Sequence, residues 1–179
     1  MNTNHNYNTS LNGYGWNESH ARGFEPYLQL GYIPVRISRE GRGLFWGTNG
    51  EHQLLLERSG SFQAMQDLGI QPNPVIGDWC AVQQFAHDRG LIEAVLPRMQ
   101  VFHKPVMHEQ HGIEGEAPVV VANVNTGAIV MDARYDFNLR RIERLVSLLH
   151  ADGILPLLVF SKIDLLDDPE SYRKRTLSR

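Results

Sequence analysis

Cysteine occurs once, at Cys80, so the chain holds no intramolecular disulfide and no cysteine-rich zinc site. Lysine is nearly as scarce: only Lys104, Lys162 and Lys174 are present, preceded by His103, Ser161 and Arg173. No Gly-Lys pair exists. A phosphate-cradling Walker loop ends in Gly-Lys-Ser or Gly-Lys-Thr, so these residues contain no such loop. Long apolar runs are missing as well. No stretch reaches the roughly eighteen apolar residues of a membrane span, and the polar start from Met1 to Asn8 has no cationic-then-apolar signal pattern. A cytoplasmic protein with no membrane contact is expected. Nor is there a basic excess: a formal net charge of −3 lacks the footprint of a strong nucleic-acid binder, so any RNA contact must come from a local patch. What is there, 179 residues with 42% hydrophobic and 21% charged, suits one large or two small globular domains.

Two grammars follow one another along the chain. Residues 1–29 read as an Asn-, Gly- and Ser-rich tail and lead-in, with order expected to begin near Leu11. From Tyr32 the apolar residues alternate: Ile33, Val35 and Ile37 share one strand face while Arg36 and Ser38 point the other way. Gly41-Arg42-Gly43 turns the chain into a second strand at Leu44-Phe45-Trp46, and Asn49-Gly50 signals a two-residue hairpin into a third at Leu54-Leu55-Leu56. Ser59 to Pro74, with Gly60, Gly69, Pro72 and Pro74, reads as a long connection. Two more strands, 78–85 and 91–96, flank a turn at 87–90. Three strands, a connector and two strands over residues 30–98 fit a five-stranded OB-fold barrel, with an SH3-like barrel as the competing reading.

Residues 99–118 have the composition of a linker, and a second grammar begins at Val119. The runs 119–124 and 127–131 are continuously apolar, as buried parallel strands require. Asn138 is placed to cap a helix with Leu139, Ile142, Leu145, Val146 and Leu149 on one stripe and Gly153 just past its end. A buried strand over 155–160 completes a βαβ unit, and 167–170 reads as the start of a further helix. The fold class expected from these patterns is an all-β OB-fold barrel followed by an α/β, parallel-sheet unit at 119–179.

Ser161-Lys162-Ile163-Asp164 follows directly on that last strand, at the carboxyl end where open parallel sheets bind ligands. Guanine presents N1–H and N2–H donors side by side. One carboxylate accepts both, so Asp164 would select guanine over adenine, which has no matching donor pair. Lys162 would lay its alkyl stem on the purine face, and Ser161 would hydrogen-bond across to a second loop. The bland alternative is a strand-to-helix turn in which Asp164 merely caps a helix.

Five stretches, in order, resemble the circularly permuted GTPases that assist maturation of the small ribosomal subunit, the RsgA/EngC family. Val75-Ile76-Gly77-Asp78-Trp79-Cys80 is similar to that family's Val-Gly-Asp-Trp-Val strand, and Leu96-Pro97-Arg98 with Phe102-His103-Lys104 to its Leu-Pro-Arg and Phe-x-Arg-Lys linker. Ala122-Asn123-Val124-Asn125 is similar to Ala-Asn-Val-Asp, residues 136–144 to Asp-x-Asn-x-x-Arg-Ile-Glu-Arg, and Ser161-Lys162-Ile163-Asp164 to the guanine motif Asn/Thr-Lys-x-Asp. Departures are Ser161 for Asn or Thr, Asn125 for Asp and His103 for Arg.

The resemblance implies a ribosome-contacting OB barrel and a GTPase domain whose guanine motif precedes its phosphate loop. It implies binding of GTP and GDP, with Mg²⁺ and Zn²⁺ expected only in a full-length protein carrying the phosphate loop and a zinc-binding helical region. Ser161, Lys162 and Asp164 become the guanine-base residues. No catalytic residue is assigned, and these residues alone are expected not to hydrolyse GTP. Partners would be the small ribosomal subunit and its rRNA, and a partial sheet would expose apolar surface and invite self-association.

Arg36, Arg39 and Arg42 with Trp46 are the candidate RNA-binding residues, the alternative being a solvated strand edge. Residues 30–98 hold six arginines against seven acids, so only a clustered face would serve. His103, His108 and His111 beside Glu109 and Glu114 match no standard metal spacing, and no metal site is assigned. Arg140, Arg141 and Arg144 read as the solvated side of their helix. A reading from a different class remains: a non-enzymatic RNA- or ribosome-binding OB module with a vestigial nucleotide half.

Overall fold

The computed structural model describes residues 10–103 and 118–166, together with positions 168, 170 and 174. The expected N-terminal tail, the histidines at 108 and 111 and most of the helix expected from 167 lie outside the described residues. The described residues form two compact units, one running to His103 and including Pro118–Asn123, the other starting at Val124.

In the first unit, β1 (Ile33–Gly41), β2 (Leu44–Thr48), β3 (Gln53–Arg58), β4 (Trp79–Ala86) and β5 (Arg89–Val95) close into a barrel of order β1-β2-β3-β5-β4. β3 and β5 run parallel, while β4 pairs antiparallel with both β1 and β5. This is the OB-type arrangement, and it decides between the two barrels that the strand spacing left open. Side-chain alternation fills it: Val35, Ile37, Phe45, Leu54, Leu56, Cys80, Val82 and Ile92 form the interior.

Ser59 to Pro74 is not the plain connection that its glycines and prolines suggest. It contains helix α2 (Gly60–Asp67), following the earlier helix α1 (Glu18–Leu28). The Ser59 hydroxyl caps α2 by accepting from the Phe62 amide at 3.0 Å, and Phe62, fully buried, joins the barrel core. The lead-in before the barrel is equally structured. Asn17 caps α1 through the Ser19 and His20 amides. Phe24 of that helix and Trp16 then pack with Leu11, Trp79, Ala81, Ala94 and Leu96 in a second core outside the barrel. β4 therefore buries both faces, Cys80 and Val82 inward and Trp79 and Ala81 outward, which explains its unbroken apolar start. The loop after β2 is also longer than a two-residue turn, with the Asn49 side chain accepting from the Glu51 and His52 amides.

Residues 119–124 differ most from expectation. β7 (Val119–Ala122) is not a buried parallel strand but pairs antiparallel with β6 (Val101–His103), and Val120 is 48% exposed. Ile76 adds an isolated parallel bridge to Val121. The chain is locked here by the residues just before and after. Gly77 has φ of 88°, and a Cβ on it would lie 2.0 Å from the Ala122 carbonyl oxygen, so only glycine fits. Asn123, itself at φ 55°, donates to the Gly77 carbonyl and accepts from the Met99 amide, both at 3.0 Å. Asp78, wholly buried, is held bidentately by Arg98 at 2.8 Å and accepts from the Val75 amide.

In the second unit the expected βαβ is present. β8 (Thr126–Asp132) and β9 (Leu155–Ser161) pair in parallel, joined by α3 (Leu139–Ala151). Asn138 caps α3 through the Arg141 amide at 3.1 Å, and Gly153 beyond its end has φ of 69°. Ile142, Leu145, Val146 and Leu149 pack on Ile129, Met131, Leu158 and Phe160. The opposite face of the pair carries Val130, Leu155, Leu157 and Val159, all exposed.

Candidate functional site

The parallel register sets Asp132 at the end of β8 opposite Ser161 at the end of β9. Both strands therefore finish at one edge, and the segment after β9 starts there. Lys162 takes φ of 56°, a left-handed conformation uncommon for lysine, and Ile163–Leu165 then form a single 3₁₀ turn. That reversal turns the chain sharply at the sheet's carboxyl edge and leaves Asp164 exposed on it. A carboxylate folded into the interior, which would exclude ligand contact, is not what this turn produces.

The other two motif side chains are tied to β8. Ser161 Oγ donates to the Met131 carbonyl at 3.1 Å, reaching the neighbouring strand's backbone rather than a second loop. Lys162 Nζ lies 2.6 Å from Asp132 Oδ2. The other oxygen of Asp132 accepts from the Arg134 and Tyr135 amides at 2.9 and 3.2 Å. These contacts, led by the Lys162 hydrogen bond, hold the Asp132 carboxyl below its usual pKa of 3.8. Asp132 escaped the sequence reading. Its signal was positional: in a parallel pair, the residue that ends one strand stands beside the residue that ends the next.

The four RNA candidates do not share one environment. A bulge between Ile37 and Arg39 shifts the β1–β2 register so that Arg39 pairs with Trp46, and its guanidinium sits 4.6 Å from the indole centroid. Arg42 is exposed in the β1–β2 turn at φ 48°. Arg36 is turned elsewhere. It donates to the Tyr14 carbonyl and, at 2.9 Å, to the Asn123 carbonyl, and lies over Trp79 at 5.7 Å. Among the described residues no group of three or more His, Cys, Asp and Glu side chains converges to hold a metal. No helix among them is long and apolar enough to cross a membrane.

This architecture, a closed OB-type barrel followed along the chain by a βαβ unit, is similar in fold to a solved circularly permuted GTPase. It resembles the crystal structure of YloQ, a circularly permuted GTPase, at a TM-score of 0.58 and 16% identity, covering 82% of this chain and 46% of that one. The structure of YjeQ from Thermotoga maritima gives 0.59 and 19%, over 82% and 47%.

In sequence, residues 95–178 match the RsgA GTPase family model. Small ribosomal subunit biogenesis GTPase RsgA from Syntrophotalea carbinolica is 30% identical over 164 residues, 89% of this chain and 44% of the relative. The same-named protein of Streptomyces coelicolor is 30% identical over 167 residues, 92% and 43%. The chain is a partial match to the circularly permuted RsgA GTPases, spanning under half the length of these relatives.

Proposed function

We propose that this chain supplies the guanine-recognising and ribosome-contacting portion of a GTPase that assists late maturation of the small ribosomal subunit. The observation that carries the reading is the turn at 161–164, an exposed aspartate presented at the carboxyl edge of a parallel strand pair, with the preceding serine and lysine both anchored to the adjacent strand. Asp164 accepts the N1–H and N2–H of guanine, Lys162 covers the purine face with its stem, and Ser161 holds the strand ends together.

Hydrolysis needs Mg²⁺ to neutralise developing charge on the phosphates, with a backbone cradle and a positioned water. The 179 residues contain no Gly-Lys pair from which a Walker loop could be built. GTP turnover by this chain alone is therefore expected to be absent, with Mg²⁺ and zinc binding left to the longer protein.

Arg39 stacked on Trp46, with exposed Arg42 nearby in sequence, supports an rRNA contact on the barrel through charge and base stacking. Arg36, with its hydrogen bonds already made to backbone carbonyls, is better suited to holding the scaffold. The exposed row Val130, Leu155, Leu157 and Val159 supports self-association of this chain in solution.

The test is a titration of the chain with GDP and, separately, ADP, followed by amide chemical shifts. GDP should perturb residues 161–165 at millimolar or lower concentration, ADP should not, and Asp164→Ala should abolish the difference. Equal responses to both nucleotides, or none, would leave the OB module without nucleotide recognition as the surviving reading.

A further inference from the structure

Asp132 divides its two carboxylate oxygens between two tasks. Oδ1 accepts the Arg134 and Tyr135 amides, an Asx-type turn that fixes the side chain. That leaves Oδ2 aimed at the Lys162 ammonium, 2.6 Å away across the two strand ends. Lys162 is otherwise open to solvent, its side chain 57% exposed, and a lysine so placed would sample many rotamers.

We propose that Asp132 is a positioning residue for the guanine site: it clamps the Lys162 ammonium so that the lysine stem is laid in place at the sheet edge before the purine arrives. The proposal rests on the guanine reading and deepens it by adding a residue outside the Ser-Lys-x-Asp motif. Its logic is preorganisation. A long side chain ordered in advance does not have to be ordered by the ligand, so the clamp acts on affinity. Its effect on stability should be slight, because an exposed ion pair contributes little to folding.

Two substitutions separate the clamp from the turn. Asp132→Asn retains an oxygen for the Arg134 and Tyr135 amides but removes the charge that holds Lys162, whereas Asp132→Ala removes both. We expect Asp132→Asn to raise the GDP dissociation constant of this chain about two- to tenfold, the factor that ordering one long side chain represents. The unfolding midpoint should stay nearly unchanged. In the same variant the Lys162 ε-carbon resonance should shift and its side chain should become more mobile, a signature that a purely structural turn residue would not give. Asp132→Ala should bind no better than Asp132→Asn.

GDP affinity unchanged in Asp132→Asn while the parent chain still prefers GDP to ADP overturns the proposal and spares the guanine reading. So does a loss of affinity seen only in Asp132→Ala, which would assign the effect to the turn. A parent chain that does not distinguish GDP from ADP removes the guanine reading itself, and the positioning role with it.

Discussion

The residues of the candidate site divide by how much of their role is local. Ser161, Lys162 and Asp164 come together because they are contiguous, and the structure places all three at one turn on the strand's carboxyl edge. Asp132 lies 29 residues upstream of Ser161 and becomes a neighbour only through the parallel register, which no short pattern records. The surroundings of Arg36 are likewise set by distant residues. Alternation along β1 places it opposite the core-facing residues, but Tyr14, Trp79 and Asn123 cover that face. The Asp78–Arg98 pair is another contact between distant residues. Removing the guanidinium leaves a buried carboxylate without its counter-charge, so Arg98→Ala should cost about 3 kcal/mol of stability, read from the urea-unfolding midpoint. A loss below about 0.5 kcal/mol would mean that water replaces the arginine freely.

At the scale of elements, strands with clean alternation and the capped, amphipathic α3 are readable. The misreadings occur where one signal masks another. Gly60 and the prolines beyond α2 hide a helix of eight residues whose contribution is Phe62 in the barrel interior. The polar lead-in hides α1, where Ala21, Phe24, Tyr27 and Leu28 follow helical spacing but Gly23 and Pro26 read as breakers.

That helix brings His20 into a buried aromatic setting, 5.7 Å from the ring centroids of both Trp16 and Trp79. Burial lowers its pKa from 6.5, the Asn123 side chain opposes the shift, and the Arg36 charge reinforces it. A histidine whose folded pKa is depressed contributes stability above its unfolded value, and loses that contribution as pH falls toward the folded one. The packing of α1 on the barrel should therefore weaken below about pH 6.5, seen as an acid-side change in tryptophan fluorescence that His20→Phe abolishes. An unchanged profile in that variant would assign the transition to another group.

For the whole molecule, the order of parts is what the sequence makes plain: a barrel first, then a βαβ unit ending in Ser-Lys-Ile-Asp, with no Gly-Lys pair in the 179 residues. The exact barrel type was not legible, because strand spacing carries no information about which strands pair; the parallel β3–β5 contact supplies it. The exposed face of the β8–β9 pair was foreseeable in kind, since a parallel sheet is ordinarily covered on both sides. Light scattering should find this chain associating as concentration rises, and Leu157→Glu, which charges the middle of that face, should reduce the association. A strictly monomeric parent chain at high concentration would contradict this.

The central claim, that Asp164 reads the purine's paired donors, is tested most directly by Asp164→Asn. Xanthine replaces guanine's N2 amino group with a carbonyl, so an asparagine amide can donate where the aspartate accepted. The parent chain should bind GDP over xanthosine diphosphate, and Asp164→Asn should reverse the order. If the substitution leaves the ratio of the two affinities untouched, Asp164 does not recognise the base.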